Sequence, residues 1–245
     1  IKDTRFLAQK IREKGTMLGK IILNEENVDF YDPNKQNLVA EVSTKRLNLV
    51  QGSTLTNKTV LLIDCGAKRN IQRCLIKRGI KVITAPWNFN PFNQSSGKVK
   101  FDAIVISNGP GDPKMADKTI ENVKKALEKK IPVLGICLGN QILALAAEGD
   151  TYKLKFGHRS QNQPCIMNDT KRCYITVQNH GFAVGKIPQG FRPWFTNAND
   201  GTNEGIIHEK LPFMSVQFHP EANPGPSDTE WIFDYFLDKI KNHNS

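Results

Sequence analysis

No run of about 18 apolar residues occurs anywhere in the chain, which excludes a helical membrane span. No secretory or transit segment is visible at the front. No metal-type Cys-x-x-Cys spacing joins the five cysteines at 65, 74, 137, 165 and 173. An odd, scattered set of that kind suits a reducing compartment, where thiols stay free, and the expected location is cytoplasmic, with the mitochondrial matrix as the alternative. No internal repeat or low-complexity tract is present. The net charge is +10, yet the lysines are spread without a dense basic block. That argues for a solvated basic surface, with a docking face for an acidic partner as a second reading and a nucleic-acid face last.

What is present is an ordinary globular composition, 39% hydrophobic and 24% charged over 245 residues, enough for one large domain or one domain and a fragment. The chain starts at Ile1 without a Met, so a piece of a longer polypeptide is expected. Residues 1–50 carry too little apolar material for their own core. Asp3 can cap a helix over Thr4–Lys14 that stops at Gly15, Met17–Leu23 reads as extended or strand, and Asp32-Pro-Asn marks a turn. The expected division is a fragment of a preceding domain over 1–50, a linker over 51–57, and the main domain over 58–243.

From Lys58 strands and helices alternate. Val60–Ile63, Lys81–Thr84, Ala103–Ile106 and Val133–Ile136 read as short buried strands, with helices at 70–78 and 119–130. This pattern predicts an α/β fold with a mostly parallel sheet covered by helices on both faces. Beyond residue 150 strands and turns follow, at Tyr174–Val177, Gly205–His208 and Met214–Phe218. A last helix is expected behind a Ser227–Glu230 capping box.

The most informative stretch is Ile131–Gln141. An apolar run ends at Cys137, a Gly stands two residues away on each side, and a helical pattern starts at once. That is a nucleophile elbow in Gly-x-Cys-x-Gly form. It puts the thiol at a helix N-terminus, where the dipole favours thiolate. Such a nucleophile needs a base, and the base an orienter. His219 follows a strand and has Glu221 two residues on, so it can meet Cys137 at the carboxyl edge of the sheet while Glu221 fixes its tautomer. His180, in Gln-Asn-His-Gly-Phe, remains a rival base. Alone, Cys137 reads as a buried thiol and His219 as a loop residue; together, each at a strand end, they favour catalysis. Ser107-Asn-Gly-Pro-Gly-Asp-Pro113 presents bare backbone after a strand. The N–H groups of Gly109 and Leu138 can form an oxyanion hole; without a following Gly-Lys-Ser/Thr this turn is not a phosphate loop.

Gly-Ile-Cys-Leu-Gly-x-Gln, Ser-Asn-Gly-Pro-Gly-Asp-Pro, Gln-Asn-His-Gly-Phe and Gln-Phe-His-Pro-Glu, in that order, resemble the class I (triad-type) glutamine amidotransferases. Lys14-Gly-Thr-Met-Leu-Gly-Lys20, Lys155-Phe-Gly-His-Arg-Ser-Gln-Asn-Gln-Pro164 and Gly225-Pro-Ser-Asp-Thr-Glu230 are similar to the glutaminase part of carbamoyl-phosphate synthetases, and Asp32-Pro-Asn-Lys-Gln-Asn-Leu38 with Glu41-Val-Ser-Thr-Lys45 resemble the animal fused type. The resemblance implies hydrolysis of L-glutamine to glutamate and ammonia, delivered to a synthetase domain in the same parent chain that uses bicarbonate and ATP with Mg. By position it implies Cys137 as nucleophile, His219 as base and acid, and Glu221 as orienter. It implies Gly109 and Leu138 as the oxyanion hole, and Gly111, Gln141, Asn179, Gly181 and Phe182 as glutamine contacts. No metal or organic cofactor is implied for this half reaction, and no nucleic-acid or membrane partner. One departure stands out: the family's Gly-His-Gln after the nucleophile is Gly-Asn-Gln, at Asn140. Two alternatives remain open, an amidotransferase of another synthetase (guanylate or anthranilate) and a non-catalytic docking domain that regulates its synthetase.

Overall fold

A computed structural model describes residues 3–50, 56–93 and 99–243 of the chain. Its centre is built from the short apolar runs. Strands β2 (Thr59–Asp64), β3 (Lys81–Pro86), β4 (Ala103–Ile106), β5 (Val133–Ile136) and β10 (Phe213–Val216) lie in the order β3-β2-β4-β5-β10, every neighbouring pair parallel. Side chains alternate across these strands, so consecutive apolar residues serve opposite cores. Val60 and Leu62 pack with α3 (Arg69–Lys77) and α6 (Trp231–His243) on one face. Leu61 and Ile63 pack with α4 (Asp117–Glu128) and α5 (Leu138–Ala146) on the other. Continuous apolar strands therefore mean burial on both sides, as expected.

The sheet extends past this parallel part. On one edge β1 (Asn48–Val50) pairs antiparallel with β3. On the other, β9 (Asn203–His208), β8 (Phe191–Asn197), β6 (Asp150–Met167) and β7 (Cys173–Lys186) follow β10 in that order, all antiparallel. Among the described residues the sheet has ten strands, and the expected parallel sheet is its helix-covered half. The sequence reading missed β1, β6 and β8. Several inward positions of β6 and β7 are polar, with His158, Thr176 and Gln178 all buried. The register of β6 also shifts twice between Lys153 and Gln163, so no apolar alternation survives. In β8 the register shifts beside Pro193, a residue that demotes a strand on sequence grounds.

The amino-terminal helix α1 (Thr4–Lys14) forms as expected. Asp3 Oδ1 accepts from Phe6 N at 2.8 Å, and Gly15 N donates to Ile11 O at 2.8 Å. Met17–Leu23 forms no strand. Residues ahead of position 58 pack on the sheet. Helix α2 (Leu38–Val42) buries Val39 among Leu61, Ile63 and Ile104, and Thr44 N donates to Asp64 Oδ2 at 2.8 Å. The expected linker residues 51–55 lie outside the described residues. At the carboxyl end the expected capping box does not form. Glu230 Oε1 instead accepts from Arg78 Nη1 at 3.0 Å, and Arg78 grips Asp234 through two bonds of 2.7 Å, tying α3 to α6.

Candidate active site

Parallel neighbours end at one edge, and this edge collects the reactive groups. Gly135 of β5 lies opposite Ser215 of β10, and Ile136 opposite Val216. The residues after both strands are therefore adjacent, and Cys137 N donates to Val216 O at 2.8 Å. Cys137 has φ 55° and ψ −100°, a backbone strain that an elbow imposes on its nucleophile. The flanking glycines are steric necessities. A Cβ on Gly135 would press into the backbone of Gly139, and one on Gly139 into the carbonyl of Ile106.

Beyond β10 the chain leads to His219, whose N–H donates to Val177 O of β7 at 2.9 Å. His219 Nδ1–H donates to Glu221 Oε1 at 2.7 Å. Both are buried, at 6% and 1% exposure, so water does not compete for this bond. Burial opposes a charge on His219. The charge of Cys137 and a hydrogen bond to it outweigh that, with help from Glu221, and raise the imidazole to about 10. That direction favours the imidazolium form of His219. Burial likewise opposes a charge on Glu221, but the bond and charge of His219 and the charge of Lys68 hold its carboxyl below the ordinary value.

Like Arg159, Lys68 is a site residue that the sequence reading missed. Its Nζ lies 3.0 Å from Glu221 Oε1 and donates to Ala222 O at 2.8 Å. The turn after β2 carries it: Asp64 Oδ1 accepts from Gly66 N and Ala67 N, and Asn108 Oδ1 accepts from Lys68 N. A cation two residues past a Gly turn at the carboxyl end of a parallel strand was the available signal.

Cys137, His219, Gly109, Asn179, Lys68 and Arg159 are among the residues lining a cavity of about 630 Å³, roomy enough for an amino-acid substrate. Gly109 fits closely at its rim, because a Cβ there would lie 2.6 Å from Leu138 Cδ2. Leu138 is the first residue of α5, where an N–H has no intrahelical acceptor. The two expected oxyanion donors thus belong to residues in close contact. Gly111, Gly181 and Phe182 line a neighbouring cavity of about 300 Å³, together with Thr16–Leu18 and Asp32–Asn34, and it shares Arg159 with the first. Gln141 lines neither cavity. It is 2% exposed and donates from Nε2 to Phe182 O at 2.8 Å and Gln217 Oε1 at 3.0 Å. The rival base His180 faces away into a polar cluster, with Nδ1 at 2.8 Å from Phe182 O and Nε2 at 3.0 Å from Gln178 Oε1. Burial above all pulls it down to about 3 and keeps it neutral.

This architecture and site go with a specific relationship. The family of class-I glutamine amidotransferases matches residues 61–239, and the chain belongs to it. It is 50% identical over 242 residues to carbamoyl-phosphate synthase [ammonia], mitochondrial, of Homo sapiens, which covers 98% of this chain and 16% of that protein. It is 50% identical to the multifunctional protein CAD of Squalus acanthias, over 96% of this chain and 10% of that one. Among solved structures, a glutamine amidotransferase from Thermotoga maritima superposes with a TM-score of 0.56 at 17% identity, over 77% of this chain and 86% of that one. That likeness concerns the fold. The chain spans about a sixth of the human relative and a tenth of the shark one.

Proposed function

We propose that this chain hydrolyses L-glutamine to glutamate and ammonia through a thioester on Cys137. The ammonia then goes to a carbamoyl-phosphate synthetase domain of the same parent chain. The observation that carries the reading is that the elbow thiol and His219 line one cavity, with buried Glu221 hydrogen-bonded to His219 Nδ1. The Cys137 thiolate attacks the side-chain amide carbon, and the oxyanion forms beside the N–H groups of Leu138 and Gly109. As the carbon–nitrogen bond breaks, imidazolium His219 gives its proton to the nitrogen, and ammonia leaves. The acylated sulfur has no charge, so the largest influence raising His219 is gone. Neutral His219 then takes a proton from water, which attacks the thioester and releases glutamate. Glu221, neutralised by Lys68, keeps the Nδ1 proton in place throughout.

Asn179 walls the cavity directly. Gly111, Gly181 and Phe182 shape the adjoining one, and Gln141 acts by holding the Phe182 carbonyl. No metal or organic cofactor takes part in these steps; ATP and Mg belong to the synthetase. The large relatives support a synthetase partner in the same chain. The human relative is named for ammonia, but the intact triad here favours glutamine and argues against a purely regulatory docking domain. The exposed Phe6, Ile21, Leu23 and Phe30 support a preceding domain that packs on the segment before β1. Five free cysteines fit the reducing cytoplasm.

The test is glutamate release by the full-length protein. Glutamine should yield glutamate and ATP-dependent carbamoyl phosphate in the wild type. Cys137→Ala should lose both with glutamine while keeping carbamoyl phosphate formation from ammonia. Equal glutamate release by the variant would remove Cys137 from the reaction.

A further inference from the structure

Beside the catalytic cavity, three strands bring two imidazoles and a carboxylate together. His158 of β6, His180 of β7 and Glu204 of β9 offer donor atoms that all lie within 4.8 Å of one another. Gln178 sits among them, with Oε1 2.8 Å from His158 Nδ1 and 3.0 Å from His180 Nε2. Amide hydrolysis uses none of these groups.

Their outer nitrogens are already committed. His158 Nε2 lies 2.9 Å from Asp200 Oδ2, and His180 Nδ1 lies 2.8 Å from Phe182 O. Both partners only accept, so each outer nitrogen carries the proton. A neutral ring then turns a lone pair inward. Inward, His158 Nδ1 meets Gln178 Oε1 and Glu204 Oε1, the latter at 3.0 Å, and His180 Nε2 meets Gln178 Oε1. Gln178 cannot turn its amide round without loss, because Nε2 donates to Thr176 Oγ1 at 3.1 Å and Cys165 Sγ at 3.2 Å. In those tautomers His158 Nδ1 and His180 Nε2 aim lone pairs at acceptor oxygens, and the two ring centroids stand 4.9 Å apart. A second observation points the same way: Glu204 is fully buried, and its Oε2 has no hydrogen-bond partner among the described residues.

We propose that His158 Nδ1, His180 Nε2 and the Glu204 carboxylate, with Gln178 Oε1 as fourth donor, form a structural site for a divalent cation of the zinc type. Two imidazoles and a carboxylate suit zinc, and each ligating ring donates its other N–H to a carboxylate or a backbone carbonyl, as metal-bound histidines do. At zinc bond lengths a tetrahedral set of donors stands about 3.3 Å apart; the pairs at 2.8–3.0 Å open by a few tenths of an ångström, and the wider separations, which reach no further than 4.8 Å, draw in around the ion. Four protein donors leave no open position for a reacting water. The ion ties β6, β7 and β9 together and holds Gln178–Phe182, the stretch that walls both cavities. No sequence spacing announces the site, because the ligands come from three strands.

The test uses full-length protein carrying Cys137→Ala, which removes the catalytic thiol as a competing ligand. After chelator treatment it is titrated with Co²⁺ and then Zn²⁺. The expected result is one equivalent of Co²⁺ with the visible band of a tetrahedral nitrogen–oxygen site, no sulfur-to-cobalt charge-transfer band, and displacement by Zn²⁺. His158→Asn and Glu204→Gln should abolish the band. Should those variants fail to fold, Asp200→Asn decides, because its side chain is 47% exposed and its loss should weaken Zn²⁺ binding about 10–100-fold. Folded protein that takes up no stoichiometric metal, a sulfur band, or unchanged affinity in Asp200→Asn would each overturn the proposal.

Discussion

Asn140 Oδ1 accepts a hydrogen bond from Ser215 Oγ at 2.7 Å, and both residues are fully buried. Asn140 Nδ2 also donates to Gln217 Oε1 at 3.1 Å. The position where this chain departs from its family pattern is therefore a strut between α5 and the end of β10, not part of the cavity wall. Asn140→His puts a larger ring into an enclosed space, and overpacking of that kind costs about 1–3 kcal/mol. The expected outcome is a lower urea midpoint with kcat for glutaminase within tenfold of wild type. A larger change in kcat at unchanged stability would mean that Asn140 acts on the chemistry.

The parallel half of the sheet and the triad were legible in sequence for one reason. Val60–Ile63, Ala103–Ile106 and Val133–Ile136 are buried on both faces, so their composition alone marks them, and a reactive residue directly after such a run sits at the ligand edge. Gly135 and Gly139 were legible because the elbow leaves no room for Cβ. The polar hairpin β6–β7 was hidden, since its inward residues include His158, Thr176 and Gln178 and the usual hydrophobic signal is absent. Lys68 was hidden as one cation among 34 Lys and Arg residues. Its role depends on a contact with Glu221, more than 150 positions away, that only the folded chain makes.

Lys68→Met should weaken the catalytic pair through Glu221. Glu221 is held below its ordinary value, so its contribution to stability is present above that value and is lost as pH falls through the lowered one. Without Lys68 the carboxyl protonates at a higher pH. The acid limb of kcat/KM therefore moves upward, and acid unfolding begins earlier. Because a charged hydrogen bond to a buried carboxylate is lost, stability near neutrality should fall by about 1.5–3 kcal/mol. Lys68→Arg should recover part of both effects. A pH–rate profile identical to wild type in Lys68→Met would leave Lys68 as a surface neighbour only.

His219 should report the state of Cys137. In the free protein His219 is raised to about 10, chiefly through Cys137 acting against burial. At about pH 8, above the ordinary histidine value, it should be protonated in the wild type. Cys137→Ala removes both contributions of the thiol and leaves burial against Glu221, so the same ring should be neutral at that pH. Carbon and nitrogen chemical shifts of labelled histidine distinguish the two forms. A neutral His219 in wild type at this pH would exclude the ion pair and require His219 to deprotonate the thiol at the moment of attack.

Glycine substitutions should separate the elbow from the substrate wall. A Cβ at Gly135 or Gly139 meets rigid backbone, which neither a rotamer change nor a small shift relieves. Gly135→Ala and Gly139→Ala should therefore lose more than about 3 kcal/mol or fail to fold. Gly181 differs. A Cβ there would approach only Arg159 Nη2, at 3.4 Å, the far end of a flexible side chain. Gly181→Ala should fold with near-normal stability and raise KM for glutamine by shifting Arg159, which lines both cavities, while kcat changes less. Circular dichroism and urea unfolding measure the first contrast, and steady-state kinetics the second. If Gly181→Ala lowers kcat and leaves KM alone, Arg159 and the cavity it shares with Gly181 do not contribute to glutamine binding.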